Sequence, residues 1–230
     1  MTYYYFILLS SIIIPIVFSF HSKVQFDKKF HILIKSIPIS ALPFIIWDVL
    51  FTKKGIWGFN SEFVLGLYIY NLPIEEILFF LCIPFCCLYT YHLVEIYDIV
   101  FFKIYNFHFF NLFLAIILTI VGTVHYQNQY TFYCFISCAM MVLFEIYCFK
   151  KINYQYFYTT MLLIIPPFII VNGALTGLFF NQTVVWYSTV EILEVRLLTI
   201  PIEDLIYAYQ LILFNLIIYQ IFINRKTYCN

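Results

Sequence analysis

Seven apolar runs divide the chain, each near the roughly 20 residues that a bilayer-crossing helix needs. They fall at about 3–20, 32–51, 73–95, 104–122, 130–149, 156–175 and 199–223. Short polar stretches separate them, among them "HSKVQFDKKF", "FTKKGIWGFNSEF", "HYQNQ" and "KKINYQ". The pattern predicts an all-α integral membrane protein with about seven transmembrane helices. One connection is longer. From Asn172 to Arg196 the chain mixes polar and apolar positions and carries Gly173, Gly177 and Trp186. It reads as a re-entrant or interfacial piece.

The pattern also repeats. "PFII" occurs at 43–46 and again at 167–170. Each copy leads through a short polar element to a tryptophan-containing loop, and then to "LPIEE" or "IPIED". From the PFII proline to the motif proline is 30 residues in one half and 34 in the other. The first three spans therefore match the last three, and the fourth joins them. A unit of three spans has odd parity, so one added span restores the orientation of the second copy. The expectation is a parallel repeat about an axis along the membrane normal. Residues 1–100 form the first unit, 101–125 the linker span and 126–230 the second unit.

Composition sharpens the class without changing it. Of the 230 residues, 64% are hydrophobic and 10% charged, whereas soluble domains carry about 25% charged residues. The net charge is zero, so no basic face offers itself to nucleic acid. The opening run has no basic residue before it and no small-residue cleavage site after it, and reads as a retained first span. With seven spans, Lys23, Lys28, Lys29, Lys35, Lys103, Lys150, Lys151, Arg225 and Lys226 share one side. Lys53, Lys54 and Arg196 share the other. Positive charge collects in the cytoplasm. That predicts a multi-pass protein of the cell membrane, with its N-terminus outside and its C-terminus cytoplasmic. Six of the seven cysteines lie in apolar stretches, at spacings that match no zinc pattern. They read as core residues, and no metal site is expected.

The candidate chemistry lies in the repeated motif. A proline and a carboxylate both suit a first helical turn, so one Pro-x-Glu-Glu can be a plain helix start. Two copies at matched positions ask for more. Pro73 and Pro201 are the structural elements of the motif, and Glu75, Glu76, Glu203 and Asp204 its acids. Successive residues on a helix point about 100° apart. The expectation is that Glu75 and Glu203 meet in one outer-leaflet pocket while Glu76 and Asp204 hold or tune them. Like charge and desolvation disfavour full ionisation of such a pair, and a carboxylate in a membrane span is a functional candidate. Asp48 lies at the end of the second span beside Trp47. Trp57 and Phe59 occupy the same outer loop, and Tyr207 follows the second motif. Such rings are common at membrane interfaces, but they also shelter cations, by up to about 2 kcal/mol when desolvated. Acids among aromatic rings suit protonation of an alkene. Glu145 is a weaker candidate, and His92 with Glu95 reads as a structural helix-end pair.

These residues carry a resemblance. "WDVLFTKKGIWGFN", "LPIEEILFFLCIPFCCLYTY", "NGALTG" and "IPIEDLIY" together resemble the membrane-integral lycopene β-cyclase family, over nearly the whole chain. Members of that family occur as two three-span subunits or as one fused chain with an extra span. The resemblance implies an intramolecular lyase (an isomerase) of carotenoid biosynthesis. Its substrates would be lycopene and related carotenoids. An acid would protonate the terminal double bond, the cation would close a six-membered ring, and a base would remove a ring proton. The products are γ-carotene and β-carotene, with no net redox change. The family's Pro-x-Glu-(Glu/Asp) motif falls on Pro73, Glu75, Glu76 and on Pro201, Glu203, Asp204. The second half departs from the first in having Asn172 where the first has Asp48. The lipid bilayer and other carotenoid-pathway enzymes are the expected partners.

No Gly-x-Gly-x-x-Gly segment follows a strand, so neither a flavin nor a nicotinamide cofactor is expected. A retinal protein would need a lysine in its last span, and residues 199–223 contain none. A carotenoid hydratase, capturing the same cation with water, remains an alternative. So does a small transporter built from parallel repeats.

Overall fold

The computed structural model describes residues 3–101, 106–180 and 182–227, with side chains described as far as residue 223 in the last helix. Lys103 and the side chains of Arg225 and Lys226, which enter the charge asymmetry, lie outside the described residues. Among the described residues, seven α-helices account for the seven apolar runs. They are α1 (Tyr3–Ser19), α2 (Phe30–Lys54), α3 (Ile74–Ile96), α4 (Phe107–Val124), α5 (Gln129–Phe144), α6 (Tyr154–Leu175) and α7 (Ile202–Thr227). Six are long and apolar enough to cross a membrane, and α1, with 17 residues, is just shorter. Large apolar side chains such as Ile13, Ile14, Ile116 and Ile120 face outward, as they must where the surrounding solvent is hydrocarbon. The chain is an all-α, multi-pass membrane protein.

Local chemistry sets the ends of the helices. Gly55 closes α2 in a left-handed conformation (φ 73°), donating its N–H to the carbonyls of Phe51 and Thr52, a role that costs glycine little. Asn106 and Asn153 accept the first free N–H groups of α4 and α6. Pro73 precedes α3 with φ −64°, the value its ring imposes. Two tight hairpins lead into the motif helices. β2 (Tyr68–Ile69) pairs with β3 (Leu72–Pro73), and β5 (Arg196–Leu197) pairs with β6 (Ile200–Pro201). Each turn places a non-glycine residue at positive φ, Tyr70 at 56° and Leu198 at 59°.

A third strand pair joins the halves. β1 (Trp57–Phe59) runs antiparallel to β4 (Val185–Tyr187). Asn60 N–H donates to Val184 O (2.8 Å), and Ser188 N–H donates to Ile56 O (2.9 Å). Among the described residues, the segment from Asn172 to Arg196 therefore contains no re-entrant helix. Here α6 continues to Leu175, and the β-branched and aromatic run beyond it pairs as a strand.

The helices interlock across the same line. α1 packs on α3 and α5 on α7, while α2 crosses to pack on α7 and α6 crosses to pack on α3. α4 packs chiefly on α5. The third helix of each half is thus held on both sides, and the motif carboxylates at its start are carried into the interior.

Candidate active site

Two consecutive pairs of carboxylic residues are buried, Glu75–Glu76 and Glu203–Asp204. Glu75 and Glu203 are fully enclosed, and Glu76 and Asp204 nearly so. They separate into two kinds. Glu75 accepts the N–H of Leu65 (2.6 Å), and Glu203 accepts those of Leu193 (2.7 Å) and the Thr131 hydroxyl (2.6 Å). Both therefore turn back onto the loop ten residues upstream and fasten it over the helix start. A buried backbone N–H without a partner is costly, and in a loop roofing a membrane bundle these carboxylates supply the acceptor.

The neighbouring residues point the other way. Glu76 and Asp204 open onto one cavity, together with Asp48 from α2 and Asn172 from α6. This corrects the expectation for the pair. The structure brings Glu76, Asp204 and Asp48 to the cavity, and not Glu75 and Glu203, because the loop has captured the first acid of each motif.

The cavity has a volume of about 1200 Å³, counting the part open to the surroundings. Its acidic end is held by phenols and an indole. Tyr4 donates to Glu76 Oε2 (2.5 Å). Tyr130 donates to Asp204 Oδ1 (2.8 Å), and Tyr187 and Asn172 to Asp204 Oδ2 (2.9 and 3.3 Å). Trp57 Nε1 donates to Asp48 Oδ1 (2.5 Å). Asp48 Oδ2 and the Tyr207 hydroxyl are buried with no hydrogen-bond partner among the described residues. Burial, and then the Asp204 carboxyl beside it, push the Tyr187 phenol well above its ordinary pKa, so it remains a donor.

Rings make up much of the rest. Trp57, Phe59, Phe79, Phe80 and Tyr207 line the cavity. Tyr130 stacks on Tyr187 with centroids 5.9 Å apart and crosses Trp57 at 4.9 Å. From Glu76 the cavity follows α3 as far as Thr90, a rise of about 21 Å at 1.5 Å per residue. It is therefore long as well as apolar. Trp47 does not line it but packs behind, 5.5 Å from the Tyr207 ring. Pro73 and Pro201 are buried at the helix starts.

The remaining candidates lie elsewhere. Glu145 accepts from Ile152 N–H (3.1 Å) and from the Tyr154 hydroxyl where α5 ends in a π-turn, Glu145–Phe149. It holds a loop outside the cavity. His92 contacts Val24 O at 2.8 Å and lies 4.0 Å from Glu95, with Lys29 3.5 Å from Glu95, which is a structural end of α3. Among the described residues no group of three or more His, Cys, Asp or Glu could hold a metal ion.

Sequence reasoning missed Tyr4, Tyr130 and Tyr187. A signal for two of them existed. Tyr4 and Tyr130 stand near the start of the first helix of each half, in "YYYF" and "YTFY", and each donates to the second acid of its motif.

No curated protein and no solved structure matches the chain. A sequence model for a family described as Lycopene cyclase matches residues 1–94 and 127–222. The match takes in every residue that lines the acidic end of the cavity and leaves out α4. An apolar cavity of this length, acidic at one end and walled by aromatic rings, is in keeping with that match, and on its extent the chain belongs to the lycopene cyclase family.

Proposed function

We propose that the protein is a lycopene β-cyclase, an intramolecular lyase that closes the acyclic ends of lycopene into β-rings. One observation carries the reading: three carboxylic side chains, Asp48, Glu76 and Asp204, open onto one aromatic-lined, apolar cavity inside a membrane bundle. An isolated alkene is a weak base. Its protonation needs an acid in a dry site, and the cation formed needs electron-rich walls.

The hydrogen bonds support a division of roles. Asp48 has one oxygen fixed by Trp57 and the other without a donor, which suits the proton-bearing oxygen of a neutral acid. Its proton goes to the terminal double bond of the substrate. The next double bond attacks the tertiary cation and closes the ring. Asp204 accepts from three donors, so both its oxygens stand as acceptors, which suits a base. It takes the ring proton, and transfer back through Glu76 restores Asp48. One proton is gained and one lost, so the product has the mass of the substrate.

Two further readings belong with this one. The paired strands and hairpins support parallel repeats at 1–100 and 126–230 joined by a linker span at 101–125. The distribution of Lys and Arg supports an N-terminus outside and a cytoplasmic C-terminus, which a reporter fused to the C-terminus checks. A periplasmic signal there would overturn the orientation.

The deciding experiment is expression in a lycopene-accumulating bacterium with chromatography of the pigments. The expected outcome is γ-carotene and β-carotene at unchanged mass. A product heavier by one water would replace the cyclase with a hydratase, and unaltered lycopene would remove the reading.

A further inference from the structure

α6 is buried at its two ends and only partly covered between them. Phe157, Thr159 and Thr160 are buried near its start, and Gly173, Ala174 and Leu175 at its finish. No residue between Thr160 and Gly173 is buried. α2, its counterpart by the shared PFII, is buried along its middle at Ser36, Ile37, Ser40, Ala41 and Phe44. The Ser40 hydroxyl also bonds Asn215 of α7.

The sequences account for the difference. Counting from PFII, Ile164 and Ile165 occupy the places of Ser40 and Ala41. Small residues let membrane helices approach, because packing rather than the hydrophobic effect drives their association. Two isoleucines do not permit the same approach. α6 also has Pro166 where α2 has Leu42, so Pro166 and Pro167 deprive two successive carbonyls, of Leu162 and Leu163, of their helical donors.

Space lies on both sides of the resulting seam. On the inner side, Ile164 and Phe168 of α6 and Tyr207 and Ala208 of α7 line the acidic cavity. On the outer side, Leu162 and Ile165 of α6 and Leu205 and Ile206 of α7 line a second, almost wholly apolar hollow of about 760 Å³. The two cavities thus use alternate residues of the same two helices.

We infer that the seam between the middle of α6 and the start of α7 is a lateral portal, through which a linear polyene passes end-first from the membrane into the acidic cavity. This rests on the cyclase reading above. The occupant is the hydrocarbon substrate, since the outer hollow has almost no polar lining and its walls on α6 and α7 adjoin those of the cavity that holds the carboxyl groups. A substrate dissolved in lipid then reaches the acids without crossing water, and its distal part remains in the outer hollow and the bilayer.

The test uses wild type, Ile165→Trp and Ile120→Trp in proteoliposomes carrying lycopene. Ile165 lies on the seam away from the carboxyl groups, and Ile120 is exposed on α4 outside both hollows. Ile165→Trp is expected to lower kcat/KM about tenfold and to leave kcat within about twofold, since it obstructs capture and not chemistry. Ile120→Trp is expected to match wild type. Leu162→Phe is a milder obstruction, expected to shift kcat/KM in the same direction, and it stands in if the tryptophan variant does not insert. An active wild type whose seam variants keep normal kcat/KM, or lose kcat in equal measure, would overturn the portal alone. A wild type that yields no cyclic product would overturn the cyclase reading and the portal with it.

Discussion

On α3 the cavity-facing acid, Glu76, accepts from one phenol, Tyr4, whereas on α7 its counterpart, Asp204, accepts from Tyr130, Tyr187 and Asn172. The two helix starts are otherwise built alike. Each follows a two-residue hairpin turn, each has its first acid bonded to a loop N–H, and each helix N–H at the start bonds the loop carbonyl seven residues before it, Ile74 to Leu67 and Ile202 to Val195. The contrast comes from single substitutions between the halves. Tyr187 stands where Phe59 stands in the first half, counting back from the motif prolines, and Asn172 stands where Asp48 stands, counting from PFII. Two helix starts of like build are thus chemically unequal. The first half contributes two acids with few donors, and the second contributes one acid saturated with donors. The same inequality appears in packing, where the middle of α2 is buried and the middle of α6 is only partly covered.

The largest effect should come from removing the titratable groups themselves. Asp48→Asn, Glu76→Gln and Asp204→Asn keep size and hydrogen bonding while removing the proton carrier. General acid–base catalysis is worth about 10²–10⁴-fold, so each variant is expected to accumulate lycopene with at least about a hundredfold lower rate, at normal levels of inserted protein. If the halves were equivalent, Asp48→Asn would be tolerated, because Asn172 already occupies the matching place. Near wild-type cyclisation by Asp48→Asn would therefore break the comparison at its main point.

Phenol substitutions should have a smaller effect and an unequal one. Tyr4→Phe takes from Glu76 the one donor it has among the described residues, and a hydrogen bond to a charged group is worth about 1.5–3 kcal/mol. Tyr187→Phe leaves Asp204 with Tyr130 and Asn172, and gives the second half the residue the first half already has. The expected outcome is a fall in kcat of about tenfold or more for Tyr4→Phe and of only a few-fold for Tyr187→Phe. Equal losses would mean that the number of donors does not set the roles of the two acids.

The fold was legible in the sequence because apolar runs of membrane-spanning length dominate it, and α1 to α7 fall on the expected runs. The motif acids were legible as a group. Which acid faces the cavity was not. Glu75 and Glu76 differ by about 100° around one helix, and the choice is made by the N–H of Leu65, in a loop whose path depends on the pairing of β2 with β3. Glu203 and Leu193 repeat the case. Tyr187 was hidden for a similar reason, since it reaches Asp204 only once β4 has paired with β1 across the halves. The open middle of α6 is written in Ile164 and Ile165, but it can be read only by setting them against Ser40 and Ala41 in a helix known to pack.

The smallest effect should come from Glu75→Gln and Glu203→Gln. A glutamine carbonyl can still accept the N–H of Leu65 or Leu193, so the loop stays fastened while the acid is lost. If these residues hold loops and do not transfer protons, both variants should make β-rings within a few-fold of wild type. Glu75→Leu and Glu203→Leu remove the acceptor as well and leave a partly buried N–H unpaired, at a cost of up to about 1–3 kcal/mol. They should lower thermal stability in detergent by an amount the Gln variants do not show. Glu203→Leu should be the worse of the two, because it strands the Thr131 hydroxyl together with the Leu193 N–H. Loss of cyclisation in Glu75→Gln or Glu203→Gln with stability intact would return these acids to the chemistry and undo the division between the first and second acid of each motif.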